Sequence, residues 1–337
     1  MSFTWKRTHT VAAVASAAVL VGGGIGVATA LSGPDPEPVT GPTPTVASGG
    51  ATPTSRPPKK AETKPFDYLT GGKRSSNEVF AVKVENIALA RPQVGLHDAD
   101  IVFAEEVEGG QTRLIAIYHR TFPTAVEPVR SARTTDVQLL PLFGKPGLVY
   151  SGANSRVQRK IDRASIVPIY NATRDPRRVA PHNVRANLKQ IAAKAKVGRA
   201  QSIGWTFAKQ APKGAQARSA KVRVGNDTFG FGYAGGRYTV RWNGQTYADG
   251  DDRTITKADN VVVLDVHNSA DGNRDVLGTP SVHSDTTGHG TLSVYRNGVR
   301  ITGTWKRAGT SRPLRLLDDS GAKIPLHPGK TWVLLKG

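Results

Sequence analysis

None of the 337 residues is a cysteine and only one is a methionine. That excludes disulfides, thiolate zinc centres, iron–sulfur clusters, a cysteine nucleophile and a lipid-carrying cysteine in this sequence. Acids are scarce as well. Against 46 Lys+Arg stand 26 Asp+Glu, a formal net charge of +20. Only six bases (Lys6, Arg7, Arg56, Lys59, Lys60, Lys64) and three acids (Asp35, Glu37, Glu62) precede Phe66, so the basicity belongs to the remainder. A surplus of this size attracts acidic polymers or anionic lipid headgroups over long range. No nucleic-acid-binding module accompanies it, and no nucleic-acid partner is expected. No cofactor motif is present, and neither a cofactor nor a metal is expected.

The first 31 residues hold the longest uncharged run. Lys6 and Arg7 precede an uncharged stretch from Val11 to Leu31 that contains Ala28-Thr29-Ala30. A positive flank, an apolar segment and a small-residue cleavage site describe a signal peptide. The same stretch would make about 31 Å of helix, enough to cross a hydrocarbon core of about 30 Å, although Gly22, Gly23, Gly24 and Gly26 weaken it. Cleavage and retention as an anchor are therefore both open, and either sends the rest of the chain across the membrane. Residues 31–65, rich in Pro, Thr, Gly and Ser, read as a disordered spacer.

From Phe66 the pattern becomes globular. Alternating or buried runs at Phe80–Val84, Ile101–Ala104, Leu114–Tyr118 and Leu148–Tyr150 predict strands. Arg133–Phe143 and Val184–Val197 predict helices, the second with Asn183 as its N-cap. Beyond Ala220 the runs Lys221–Val224, Tyr238–Trp242, Val261–Val266, Leu292–Arg296, Ile301–Trp305 and Thr331–Leu335 read as strands. Asn297-Gly298 is the strongest hairpin signal. The expected fold class is α+β: a mixed N-terminal unit over 66–210 and a mainly antiparallel β unit over 211–337. Trp242, Trp305 and Trp332 are expected to pack in the core or on a sheet face, Trp332 buried within the last strand; a glycan-stacking platform is the alternative.

Four patches are denser in polar residues than packing requires: Asn86 with Ala90–Val102, Val107–Arg113, Pro128–Arg133 and Ala180–Asn183. Read in order as ARPQ-x-GL-x-x-ADIV, VEGG-x-TR, PVRSAR and APHN, they resemble the YerB-like family of bacterial cell-envelope proteins. With GTWK (Gly303–Lys306) and PG-x-TW-V (Pro328–Val333), the resemblance covers roughly Phe66 to Gly337. It implies a two-part domain with no settled activity, working outside the cytoplasm. Two positions depart from it. Glu127 stands where the family has a glycine before PVRSAR, and the cysteine that lipid-anchors many relatives is missing.

The residue types in these patches suit an anion. Arg130 and Arg133 carry planar forks that match carboxylate or phosphate, and Arg91 and Arg113 can join them. The nearby acids Asp100, Glu105 and Glu108 offer the competing role, an internal ion-pair network. His182 before Asn183 is a candidate general base or a loop histidine. A triad of Ser131, His182 and Asp100 or Asp136 lacks any nucleophile elbow. His283, Asp285 and His289 have metal-like spacing within a Ser/Thr/Gly loop, where a solvated turn is the simpler reading. The candidate ligand site is thus Arg91, Asp100, Glu108, Arg113, Arg130, Arg133, His182 and Asn183. Binding of an anionic envelope ligand is the leading expectation, and an envelope hydrolase or transferase is the alternative.

Overall fold

The computed structural model describes residues 66–275 and 278–337. The leader and spacer expected over 1–65 lie outside them. Fifteen strands carry the argument. In chain order they are β1 (Phe80–Glu85), β2 (Ile101–Glu106), β3 (Thr112–Tyr118), β4 (Gly147–Tyr150), β5 (Val167–Tyr170), β6 (Ser219–Val224), β7 (Asp227–Ala234), β8 (Arg237–Trp242), β9 (Asn260–Asp265), β10 (Asn268–Arg274), β11 (Pro280–Ser284), β12 (Gly288–Arg296), β13 (Val299–Arg307), β14 (Arg315–Asp318) and β15 (Thr331–Lys336). Three short helices join them: α1 (Thr134–Leu139), α2 (Ser155–Arg163) and α3 (Leu188–Lys194). The chain is mostly β.

The main sheet runs β14-β13-β12-β9-β15-β2-β3-β1-β4-β5. It crosses the boundary drawn near residue 210, because β15 pairs in parallel with β9 on one side and with β2 on the other. The two units expected to pack against each other share one sheet, and the C-terminal strand is its seam. The four-residue core of that pairing, Thr331–Leu334 against Ile101–Ala104, is buried throughout. Sequence periodicity shows which face a strand buries and says nothing of which distant strand it joins.

Period two divides the strands between two cores. Ala81, Ile101, Phe103, Ile115, Ile117, Leu148 and Val333 face a layer made by α1, α2 and the turn after α1. Phe80, Val82, Val102, Leu114, Ala116, Val261, Trp332 and Leu334 face a small antiparallel sheet of β6, β7 and β8. Trp332, 2% exposed, meets Phe229, Phe231 and Tyr247 at ring-centroid distances of 6.2, 6.4 and 5.3 Å. It belongs to the core, as expected of the last strand. Covered on both faces, β1, β2 and β3 have almost no exposed residue, which explains their near-continuous apolar reading.

The turn chemistry matches the sequence. Asn297 and Gly298 both take positive φ, 50° and 75°, joining β12 to β13 as a two-residue primed turn requires. The helix expected over Val184–Val197 is shorter. It starts at Leu188 because Asn187, not Asn183, accepts the first-turn N–H, from Gln190. Helix α2 and the β10–β11 ribbon were not expected. The ribbon's polar NSADGNR has no apolar alternation to reveal it.

Candidate functional site

Strands β1, β2, β4, β5, β9 and β15 all run one way, so their carboxyl ends gather at one edge. Crevices outside such carboxyl ends are the usual ligand positions of sheets with parallel strands. Here the inner face changes character along each strand. Ala81, Ile101, Phe103, Ile115 and Ile117 are apolar, whereas Lys83, Glu85, Glu105 and Arg113 follow on the same face toward the edge. Register places Arg113 between Glu85 on β1 and Glu105 on β2.

Beneath the edge lies a closed ionic cluster. The Lys83 ammonium, fully buried, donates to Glu105 Oε1 and to Asp136 Oδ1, the latter at 2.7 Å. Asp136 also accepts the Arg133 backbone N–H at 2.6 Å, which caps α1 and fixes where Arg133 begins the helix. Burial pushes the Glu105 carboxyl above its ordinary value against the opposing pull of Lys83. Its Oε2 has no hydrogen-bond partner.

Above this cluster opens a cleft of about 690 Å³. The β2–β3 connection enters it through Glu108-Gly109-Gly110, whose glycines take φ of 64° and 71°. A Cβ on Gly110 would lie 2.4 Å from the Asn226 side chain, so the turn is closed against the small sheet and needs no phosphate to explain it. Glu108 is gripped by Arg133 through Nε–Oε1 at 2.6 Å and a second bond at 2.7 Å, and it accepts Ser281 Oγ at 2.6 Å. Burial raises the Glu108 carboxyl, but Arg133 and Ser281 outweigh burial and bring it to about 2. Arg130 Nε lies 2.9 Å from Glu85 Oε1, and His182 Nδ1 lies 2.8 Å from Glu85 Oε2.

Arg113 differs from these. Only 5% exposed, it has no carboxylate within 4.0 Å, whereas Arg130 has Glu85; the Nε of each lacks a hydrogen-bond partner. One long bond, 3.4 Å, reaches the Ser131 carbonyl. Burial and the guanidinium groups of Arg133 and Arg130 hold its pKa down to about 10, only partly offset by Glu108 and Glu85. It lines the cleft together with Asn154, Arg274 and Thr279.

Of the eight candidate residues, Glu108, Arg113, Arg130 and Arg133 line this cleft, and His182 adjoins it through Glu85. Arg91 lines a neighbouring cleft and stacks on Trp242 and Tyr247, 4.7 and 4.3 Å from the ring centroids. Asp100 is elsewhere. It sits at the opposite end of β2, about 16 Å from Glu105 at 3.3 Å per residue. There it accepts the N–H groups of His119 and Arg120, each at 2.9 Å, and pairs with Arg120 at 3.2 Å. Asn183, buried, accepts from Arg174 at 2.6 Å. The nominal triad is not assembled, since Asp100, Asp136 and His182 bond to Arg120, Lys83 and Glu85 respectively. Lys83, Glu85, Asn154, Arg274 and Ser281 were missed; charged side chains at inward positions of the apolar strand β1 were the available signal.

Among the described residues one set offers converging metal-type donors, His97, Asp249 and Asp252, within 4.8 Å of one another. It does not include His283, Asp285 or His289. Asp249 already accepts the Gly95 N–H at 2.6 Å, His97 at 3.0 Å and the Asp251 N–H at 2.9 Å, which ties the loop together.

Comparison with known proteins follows the same division. Residues 69–201 match the model described as "Protein of unknown function (DUF3048) N-terminal domain", and residues 219–333 match its C-terminal counterpart. The chain belongs to the DUF3048 family. A candidate lipoprotein, YerB of Bacillus subtilis (strain 168), is 42% identical over 81 residues, 24% of each chain; the match spans about a quarter of that relative. The crystal structure of the YerB protein from Bacillus subtilis superposes with a TM-score of 0.69 at 24% identity. It covers 81% of this chain and 96% of that one, a likeness of fold. Within the DUF3048 frame both parts build the cleft: Glu85 to Pro181 come from the N-terminal match, Arg274 and Ser281 from the C-terminal one.

Proposed function

We propose that this DUF3048 protein binds an anionic ligand of the cell envelope, one bearing carboxylate or phosphate, in the cleft floored by Arg113. The carrying observation is Arg113 itself: a buried guanidinium, repelled by two neighbours, without a carboxylate and with an unpartnered Nε. A buried charge left so is costly, and a bound anion is the partner that removes the cost. Location outside the cytoplasm is supported by the leader pattern and by the lipoprotein name of the relative. Among the described residues no helix is long and apolar enough to cross a membrane. The net charge supports acidic polymers or lipid headgroups as the ligand's source.

Titration calorimetry with inorganic phosphate and acetate tests the reading. Arg113→Lys should weaken binding about tenfold or more, because a point charge cannot reproduce a fork's paired bonds. Binding should also fall with salt. Equal binding by wild type and Arg113→Lys contradicts the proposal.

One observation favours a second reading, an envelope hydrolase or transferase. A carboxylate on His182 Nδ1, at 2.8 Å, orients the imidazole as in general bases. Loss of turnover in His182→Asn with ligand binding unchanged would select it; no turnover of any bound envelope fraction by wild type would dismiss it.

A further inference from the structure

The arginine cleft does not end at Pro181. Pro181 and Glu85 line it, while Ala180 and His182 line the neighbouring cleft of about 590 Å³. The hydrogen bond between His182 and Glu85 forms the sill between them. Each volume alone lies in the range that takes a small molecule of drug size. Joined, they make a trough for something longer.

The charges along this trough are mostly neutralised in pairs. Arg130 meets Glu85, Arg133 meets Glu108, Arg177 meets Asp175 at 2.6 Å, and Arg178 meets Glu127 at 3.0 Å. Three guanidinium groups stand outside this pairing among the described residues. Arg274 turns to the Gly278 carbonyl, 2.6 Å away. The other two each keep a buried N–H without a hydrogen-bond partner: Arg113, and Arg91, whose face is stacked on Trp242 and Tyr247.

A densely charged polyanion would meet the paired carboxylates Glu85, Glu108, Glu127 and Asp175 as well as the arginines. A chain rich in hydroxyls suits such walls better, because paired carboxylates and guanidiniums still offer acceptors and donors toward solvent. Leu89 and Val179 at the second cleft, 75% and 81% exposed, add apolar contact for sugar C–H faces. We infer that the two clefts form one trough for a linear acidic glycan, with Arg113 and Arg91 seating acidic groups separated by neutral sugars. This rests on the anion-binding reading above and adds the ligand's class and extent.

The test is calorimetry on the full chain with hyaluronan oligosaccharides, which carry a carboxylate on every second sugar, from disaccharide to decasaccharide. Inorganic phosphate and polyphosphate serve as comparators. Wild-type affinity should rise roughly tenfold or more with length, as expected when a second site is engaged in the same molecule. Arg91→Gln should flatten that rise, whereas Arg113→Gln should weaken every length. Circular dichroism and the unfolding midpoint confirm folding, and Arg91→Lys serves if Arg91→Gln does not fold. Affinity independent of length but dependent on Arg113 overturns the trough and spares the anion site. Arg113-dependent binding of phosphate without hyaluronan, or polyphosphate bound more tightly than hyaluronan, overturns the glycan class. Absence of any Arg113-dependent anion binding removes the anion reading itself.

Discussion

The two ends of β2 carry similar residues and do different things. At the entry, Asp100 is nearly inaccessible, yet its carboxylate is closed by two backbone N–H groups and Arg120, and nearby Asp67 is closed by His119 at 2.9 Å. At the exit, Glu105, Glu108, Glu85 and Arg113 are equally buried, but the set does not close: Glu105 Oε2, Arg113 Nε and the Nε of neighbouring Arg130 have no hydrogen-bond partner. Buried polar groups are overwhelmingly satisfied in folded proteins, so an end that leaves three open is spending stability on something other than folding. Polar density in a sequence marks both ends alike. Satisfaction separates them.

The largest expected effect breaks the closed layer beneath the open end. Lys83→Met strands Glu105 and Asp136 without their cation and should cost about 3–5 kcal/mol in urea unfolding. Asp100→Asn, which keeps part of the hydrogen bonding at the entry, should cost less, about 1–3 kcal/mol. An Asp100→Asn loss larger than that of Lys83→Met would reverse the comparison. Trp332→Ala, at the seam between the halves, should cost about 3–5 kcal/mol by leaving a cavity among Phe229, Phe231 and Tyr247.

The sequence reading succeeded where the signal is local. Asn297-Gly298 specifies its turn through positive φ, Thr331–Leu335 reads as a buried strand, and three of the four polar patches supply about half of the cleft wall. It failed where partners are remote. Nothing in TWVLLK says that it lies between Ile101–Glu106 and Asn260–Asp265, and so the two expected units turned out to share a sheet. Asp100 was grouped with Glu108 because both sit in motif patches of one short segment, yet a six-residue strand carries them to opposite edges. Lys83 and Glu85 were passed over because apolar neighbours made their strand look like plain core.

Acid should act at both ends, with a smaller effect. Glu108 and Asp67 both titrate at about 2 in the fold, below ordinary values of 4.5 and 3.8. A depressed folded pKa stabilises above the ordinary value, so this contribution is whole above about pH 4.5 and is lost as pH falls toward 2. Glu108→Gln should flatten the stability profile in that window by its own share and leave the Asp67 share, read as midpoint against pH. An unchanged profile would show that Glu108 is not held by Arg133. The smallest effect is Asn297→Ala, away from both ends, which should lower stability by about 1 kcal/mol through strain at positive φ and leave anion binding untouched.

The most direct measurement compares the unfolding free energy of wild type and Arg113→Met with and without inorganic phosphate. Because Arg113 is buried, repelled by Arg130 and Arg133 and unpaired, replacing it with an apolar side chain of similar length should leave the ligand-free protein as stable as wild type or more so. Phosphate should then stabilise wild type in proportion to its occupancy and leave the variant unmoved. A variant weakened by several kcal/mol, beside a wild type indifferent to phosphate, would show that Arg113 holds the fold together and that the cleft is not an anion site.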